Sequence, residues 1–274
     1  MGSNTDESDS TVAHDFETLR IERETGIARI VLDRSEQLNT ITSTVLGELA
    51  AAVDSLDADS DVRCLLVAGA GDRAFSAGAD LSVLADKDMT AIDGTELARK
   101  GQQTFGKLEA CETPVVAAID GVCLGGGMEL AAAADIRIAA TGSTFGQPEH
   151  GLGLLPGWGG TQRLPALIGE SRAKEIILTA DHYDASKMAE YGFLSRVVDG
   201  ENFETEAMEL AGQVAAGPPL AQRDTKRAML AGRDDTDAGL EIEAHAFGQL
   251  LDSEDFQRGI AAFDSDEEPE FTGE

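Results

Sequence analysis

Apolar and polar positions alternate from Phe16 to Glu22 and again over Gly26 to Asp33 (GIARIVLD), so the pattern predicts two paired strands turning at Glu24, Thr25 and Gly26. Thr42 then stands as a helix N-cap ahead of Val45, Leu46, Leu49, Val53 and Leu56, which recur at helical spacing. The unbroken apolar run CLLVAGA at 64 to 70 predicts a buried strand closed by a Gly/Asp turn, and a helix is expected over 92 to 110. The cycle then repeats: VVAAID (115 to 120) as a strand, a glycine-rich turn, MELAAAA (128 to 134) as a helix and DIRIAA (135 to 140) as a strand. Repeated strand, strand, helix units argue an α/β architecture. From about Glu201 only helical stripes remain, such as Leu210 and Val214, then Leu240, Phe247, Leu250 and Leu251. A second, helical portion is therefore expected, ending in an acidic, solvated DSDEEPEFTGE.

With 274 residues the chain buries enough surface to fold without disulfides or metals. No apolar stretch approaches the 18 residues of a membrane span. Charge changes the picture more. There are 51 acidic against 21 basic residues, a formal net charge of −30, and only six of the cations are lysine. Such a surface repels nucleic acid and anionic membranes. Its self-repulsion needs screening, which shortens to about 3 Å at 1 M salt. The reading is a halophile's cytosolic protein, against the plainer one of an acidic protein with a solvated surface. Cys64, Cys111 and Cys123 are odd in number, sit in apolar surroundings and lack zinc-site spacing, so they are expected to be reduced and buried, with no metal bound. The opening MGSNTDESDSTVAH is polar and aperiodic and does not read as a leader, so residues 1–13 are expected to be a disordered acidic tail and the protein cytoplasmic.

Three segments carry candidate chemistry. In the run from Gly121 to Leu130, Gly125, Gly126 and Gly127 separate a buried strand from a helix. Residues without side chains let a ligand reach the backbone, where unpaired N–H groups and the helix dipole stabilise a developing oxyanion. A packing turn explains the same glycines, and the spacing is not that of a dinucleotide fingerprint. Phe75 to Leu81 (FSAGADL) again sets small residues after a strand and could supply a second donor, or be a tight turn. Residues 145 to 164 place Glu149 in a Gly/Pro-rich loop, 20 positions after Glu129. Two carboxylates facing one cavity can share protons, because burial and mutual repulsion raise at least one pKa. Composition alone favours two solvated acids.

In their order and spacing, FSAGADL, PVVAAIDGVCLGGGMEL and FGQPEHGLGLLPGWGGTQRLP closely resemble the enoyl-CoA hydratase/isomerase (crotonase) family, and LDRSEQLNTIT resembles its opening. The likeness spans roughly residues 16 to 263. It implies a crotonase-like spiral of strand, strand, helix turns over 14–200 and a helical trimerisation region over 201–274, hence a homotrimer or dimer of trimers. It implies that the N–H groups of Ala79 and Gly126 form an oxyanion hole for a thioester carbonyl, with CoA lying along Ala77, Gly78, Ala79, Asp80 and Leu81. It assigns Glu129 as the base on water and Glu149 as the proton donor to C2. The expected activity is hydration of a trans-2-enoyl-CoA, with no cofactor apart from the CoA of the substrate.

This chain departs from the family at Ser82, where many relatives carry lysine, and in its acidic rather than basic C-terminus. That leaves Arg34 or solution cations to neutralise the CoA phosphates. Phe263 matches an aromatic that packs near adenine in relatives. Trp158 could wall the acyl site or fill the core. His150 reads as a loop residue or a neighbour tuning Glu149, and His14, His182 and His245 show no ligand spacing. Enoyl-CoA isomerisation, hydration of a branched or dicarboxylic substrate, and a non-catalytic acyl-CoA-binding subunit are the alternatives. Retention of both acids favours hydration.

Overall fold

The computed structural model describes residues 16–85, 89–265 and 268–274, so the tail expected over 1–13 and His14 lie outside the described residues. The first hairpin forms as β1 (Leu19–Glu24) and β2 (Ile27–Leu32), antiparallel with Leu19 opposite Leu32. It begins later than the alternation suggests because the N–H groups of Glu17 and Thr18 donate to the carboxylate of Glu48, at 2.7 and 2.9 Å, and not to a neighbouring strand. Next comes α1 (Ser43–Asp57), whose start is fixed as expected by the Thr42 hydroxyl accepting from the Val45 N–H at 3.2 Å.

The spiral then runs through β3 (Cys64–Gly69), β4 (Ala74–Ser76), α2 (Leu81–Leu84) and α3 (Ala91–Ala110). Its next turn is β5 (Val115–Ile119), β6 (Val122–Leu124) and α4 (Gly126–Ala133). A third comprises β7 (Ile136–Ala140), β8 (Thr144–Gly146), a 3-10 turn over Pro148–Leu152, and α5 (Gly160–Ile168). Helix α6 (Glu170–Thr179), β9 (His182–Asp184), α7 (Ala185–Tyr191) and β10 (Arg196–Val198) close the core.

Each turn gives one strand to each of two sheets. The larger has the order β1-β2-β3-β5-β7-β10 and is parallel after the first hairpin; the smaller has the order β4-β6-β8-β9, with β4, β6 and β8 parallel. The short strands of the smaller sheet escape periodicity, since three residues hold no more than one full alternation. The apolar runs predicted as buried strands are apolar throughout because both faces of the larger sheet are covered. Leu65 and Val67 face α1 and α3 through Leu46, Leu49, Phe105 and Leu108. Cys64, Leu66 and Ala68 face Phe203 and Leu210 of α8 (Phe203–Ala215).

After Glu201 every regular element among the described residues is helical: α8, α9 (Pro219–Gly232), α10 (Thr236–Leu250) and α11 (Glu254–Ser265). The end of the chain is exposed at Glu268, Glu270, Thr272 and Glu274, yet it is also tied to α11. The buried carboxylate of Asp255 accepts from the N–H groups of Thr272 (2.7 Å) and Gly273 (3.0 Å), and the Glu254 N–H donates to the Glu274 backbone oxygen at 2.7 Å. Orphan donors at the start of α11 and an acid beside them thus dock the last residues.

Candidate active site

Strands β4, β6 and β8 end along one edge of the smaller sheet, and each hands its following residues to the same place. Ser76 is in register with Cys123, and Leu124 with Gly146. Ala79 follows β4, Gly126 and Glu129 follow β6, and Glu149 follows β8. Parallel pairing is what brings Glu129 and Glu149 together despite their separation in sequence, and the crevice beyond the carboxyl ends of parallel strands is where α/β proteins bind ligands.

The backbone there is turned outward. Ile41 donates to Gly78 O at 2.8 Å and accepts from the Asp80 N–H at 3.0 Å, so the intervening Ala79 directs its own N–H away from that ladder. Gly126 is the first residue of α4, where an N–H has no intrahelical acceptor. Neither N–H has a hydrogen-bond partner among the described residues. They lie close together: a Cβ added to Gly126 would stand 3.4 Å from the Ala79 nitrogen. Gly125, at φ 50 and ψ −123, occupies a conformation open only to glycine, and a Cβ there would meet Glu149 Oε1 at 2.7 Å.

Glu129 is 2% exposed, and its Oε1 accepts from the Trp158 N–H (2.8 Å) and the Gly160 N–H (2.7 Å). Burial pushes its carboxyl above the ordinary range, opposed by those two donors and by the nearby Arg163 charge. Glu149 is pushed up to about 7, by burial first and by the Glu129 charge in addition, with its own N–H opposing. The buried Gln147 amide, with its nitrogen turned toward the acid to satisfy both groups, donates to Glu149 Oε1 and Oε2 at 3.1 and 3.0 Å. A buried acid and a half-buried one with unequal environments, beside two outward N–H groups, can move two protons while holding an anionic oxygen.

The remaining candidates fall around this centre. Ala77 to Leu81 form the strip ahead of α2, with Leu81 exposed. Arg34 points at the strip but is already engaged, donating to Thr40 O and lying 3.4 Å from Asp80. The Ser82 hydroxyl, aided by Thr40 and Arg34, holds the Asp80 carboxyl below its usual range. Trp158 is core: its indole is 5% exposed, meets Phe105 edge to face at 5.7 Å and backs onto Gly126. Phe263 on α11 is 86% exposed, so nothing among the described residues covers it. His150, His182 and His245 are exposed, and the three cysteines are free and buried, as expected. The donors of Trp158, Gly160 and Gln147 were not anticipated. Two are backbone groups that carry no residue identity, and only Gln147, two positions before Glu149, offered a legible signal.

Residues 22–274 match the model of the enoyl-CoA hydratase/isomerase family, and the chain belongs to that family. It is 39% identical to the crotonyl-CoA hydratase of Syntrophomonas wolfei, over 90% of this chain and 95% of that protein. It is 38% identical to the short-chain-enoyl-CoA hydratase of Clostridium acetobutylicum, over 89% and 93%. Among solved structures it superposes on an enoyl-CoA hydratase from Bacillus anthracis with a TM-score of 0.89 at 35% identity, covering 94% of this chain and 100% of that one.

Proposed function

We infer that this chain is an enoyl-CoA hydratase, converting a trans-2-enoyl-CoA to the 3-hydroxyacyl-CoA. The observation that carries the reading is the pair Glu129 and Glu149 beside the uncommitted N–H groups of Ala79 and Gly126. The thioester carbonyl accepts from those two groups, so the charge that builds on its oxygen as C3 is attacked meets fixed dipoles and the start of α4. Glu129 takes a proton from the water that adds its hydroxyl to C3. Glu149, whose carboxyl burial pushes up to about 7, gives its proton to C2. The cycle closes when the proton gained by Glu129 is returned to Glu149. A lone proton-shuttling acid would suffice for isomerisation, and the presence of two favours hydration. Mixing the protein with crotonyl-CoA tests this: the absorbance of the conjugated thioester falls as 3-hydroxybutyryl-CoA forms, and unchanged absorbance refutes the reading.

The CoA moiety is assigned to the strip from Ala77 to Leu81, with Arg34 as the cation beside it, released from Asp80 by the incoming phosphates. Phe263 is assigned to the adenine end. Apolar side chains left bare on α9, α10 and α11, namely Met229, Leu240, Phe247 and Ile260, support a trimer or dimer of trimers. Light scattering should then give three or six times 28.8 kDa, and an active monomer contradicts it. The free, buried thiols support a reducing, cytoplasmic setting, and the −30 charge supports a halophilic one. Among the described residues no helix is long and apolar enough to cross a membrane, and no cluster of three or more His, Cys, Asp or Glu could hold a metal.

A further inference from the structure

Glu129 is held by backbone groups of the segment 157–160, and that segment is itself gripped by α3. Gly101, Phe105 and Glu109 recur every four residues and so share one face of α3. Trp158 packs edge-on to Phe105 and fills the space that any side chain at Gly101 would need, its nearest ring atom only 2.1 Å from where that Cβ would stand. Gln102 donates to the Gly157 oxygen at 2.9 Å. The remaining hold is ionic. From α5, Arg163 donates through Nη1 to the Trp158 oxygen at 3.0 Å, while its Nε and Nη2 both lie 2.9 Å from Glu109 Oε2. Arg233, at the end of α9, pairs with the other Glu109 oxygen. Both partners are largely withdrawn from solvent, with side-chain exposures of 11% for Arg163 and 15% for Glu109. Gly159 leaves the room this needs, since a Cβ there would fall 2.1 Å from Arg163 Nη1.

We propose that Arg163, braced by Glu109, is a positioning residue for the hydration step: by fixing the Trp158 carbonyl it aims the Trp158 and Gly160 N–H groups at Glu129 Oε1. The proposal rests on the hydratase reading and deepens it. The Trp158 carbonyl belongs to the peptide between the two that carry the Trp158 and Gly160 N–H groups, so a guanidinium on its oxygen restricts the rotation of both neighbours. Gln102 on the Gly157 oxygen holds the Trp158 N–H plane directly, while Glu129 alternates between carboxylate and acid. The fork of arginine matters, because one end holds the carbonyl while the other is anchored on a carboxylate. The same cation lies near enough to Glu129 to favour its ionised form, which is the form a base needs. Neither Arg163 nor Glu109 touches the reacting atoms in this arrangement.

The test is the pH dependence of crotonyl-CoA hydration by the full-length parent, Arg163→Gln and Arg163→Lys. Arg163→Gln should lower kcat by up to about a hundredfold, the scale of a small misplacement of a catalytic group. KM should stay within about twofold, and the acid limb of kcat should move to higher pH. Arg163→Lys restores the cation without the fork, so it should return the limb toward the parental position while leaving kcat depressed. Parental kcat in either variant overturns the proposal, as does a fall in kcat with an unmoved limb in Arg163→Gln, which marks a merely structural residue. If Arg163→Gln does not fold, the kcat of Arg163→Lys decides alone. A parent that does not hydrate crotonyl-CoA instead counts against the function. Titration of the Glu129 carboxyl by 13C NMR then still decides: it should titrate at higher pH in Arg163→Gln, or in Arg163→Lys if only that variant folds, and an unmoved titration overturns the proposal.

Discussion

With its amide nitrogen turned toward the acid, fully buried Gln147 stands 3.1 and 3.0 Å from the two carboxylate oxygens of Glu149 and donates to both. Donation in that orientation favours the charged acid, while burial pushes the Glu149 carboxyl up to about 7. In the proposed mechanism Glu149 must be protonated to serve C2, so activity should fall on the alkaline side as its proton is lost. Gln147→Leu removes both donors and should move that alkaline limb of kcat to higher pH. A limb that stays put, or moves down, would show that Gln147 does not act on Glu149.

Glu149 also leaves a mark on stability. Its carboxyl titrates near 7 in the fold against an ordinary 4.5, so the fold binds its proton more tightly than the unfolded chain does. The stability linked to that proton is fully present below about pH 4.5 and is lost as pH rises through about 7. Glu149→Gln cannot ionise and is spared this loss. Its melting temperature relative to the parent should therefore rise between pH 4.5 and pH 8, read by thermal unfolding at matched salt. A constant difference across that range would contradict a raised carboxyl.

Much of this architecture was legible in the sequence, for physical reasons that differ from element to element. The Thr42 cap and the Val45 to Leu56 stripe predicted α1 because capping and core-facing are local properties. The strands at 64 and 115 were legible as apolar runs because helices cover both faces of their sheet. Strands β4, β6 and β8 were not, since three residues carry no usable period, yet they are what aligns Ala79, Gly126 and Glu149. The two acids were identified by resemblance, as composition hid them among 51 acidic residues. Arg163 stood in a quoted motif without a role, because its partner Glu109 is 54 positions away.

The surplus of 30 negative charges predicts a requirement on the solvent. At about 0.1 M ionic strength repulsion reaches roughly 10 Å, and at 1 M only about 3 Å. Folding and activity should therefore depend on molar salt, with the circular dichroism of the folded state and hydratase turnover both appearing as KCl is raised. Full activity and an unchanged melting temperature at low salt would remove the halophilic reading and leave the catalytic one intact.

The central claim is that Glu129 and Glu149 divide the two proton transfers of hydration, and turnover of crotonyl-CoA by Glu129→Gln, Glu149→Gln and the double variant tests it most directly. Neither carboxylate is assigned a contact with CoA, so saturation should stay close to parental while each single variant loses ~10²- to 10⁴-fold in kcat. The losses should not add in the double variant, because the two acids act on one water as a unit. A single variant that hydrates at nearly the parental rate would contradict the two-carboxylate mechanism and return the site to a one-acid reaction such as isomerisation.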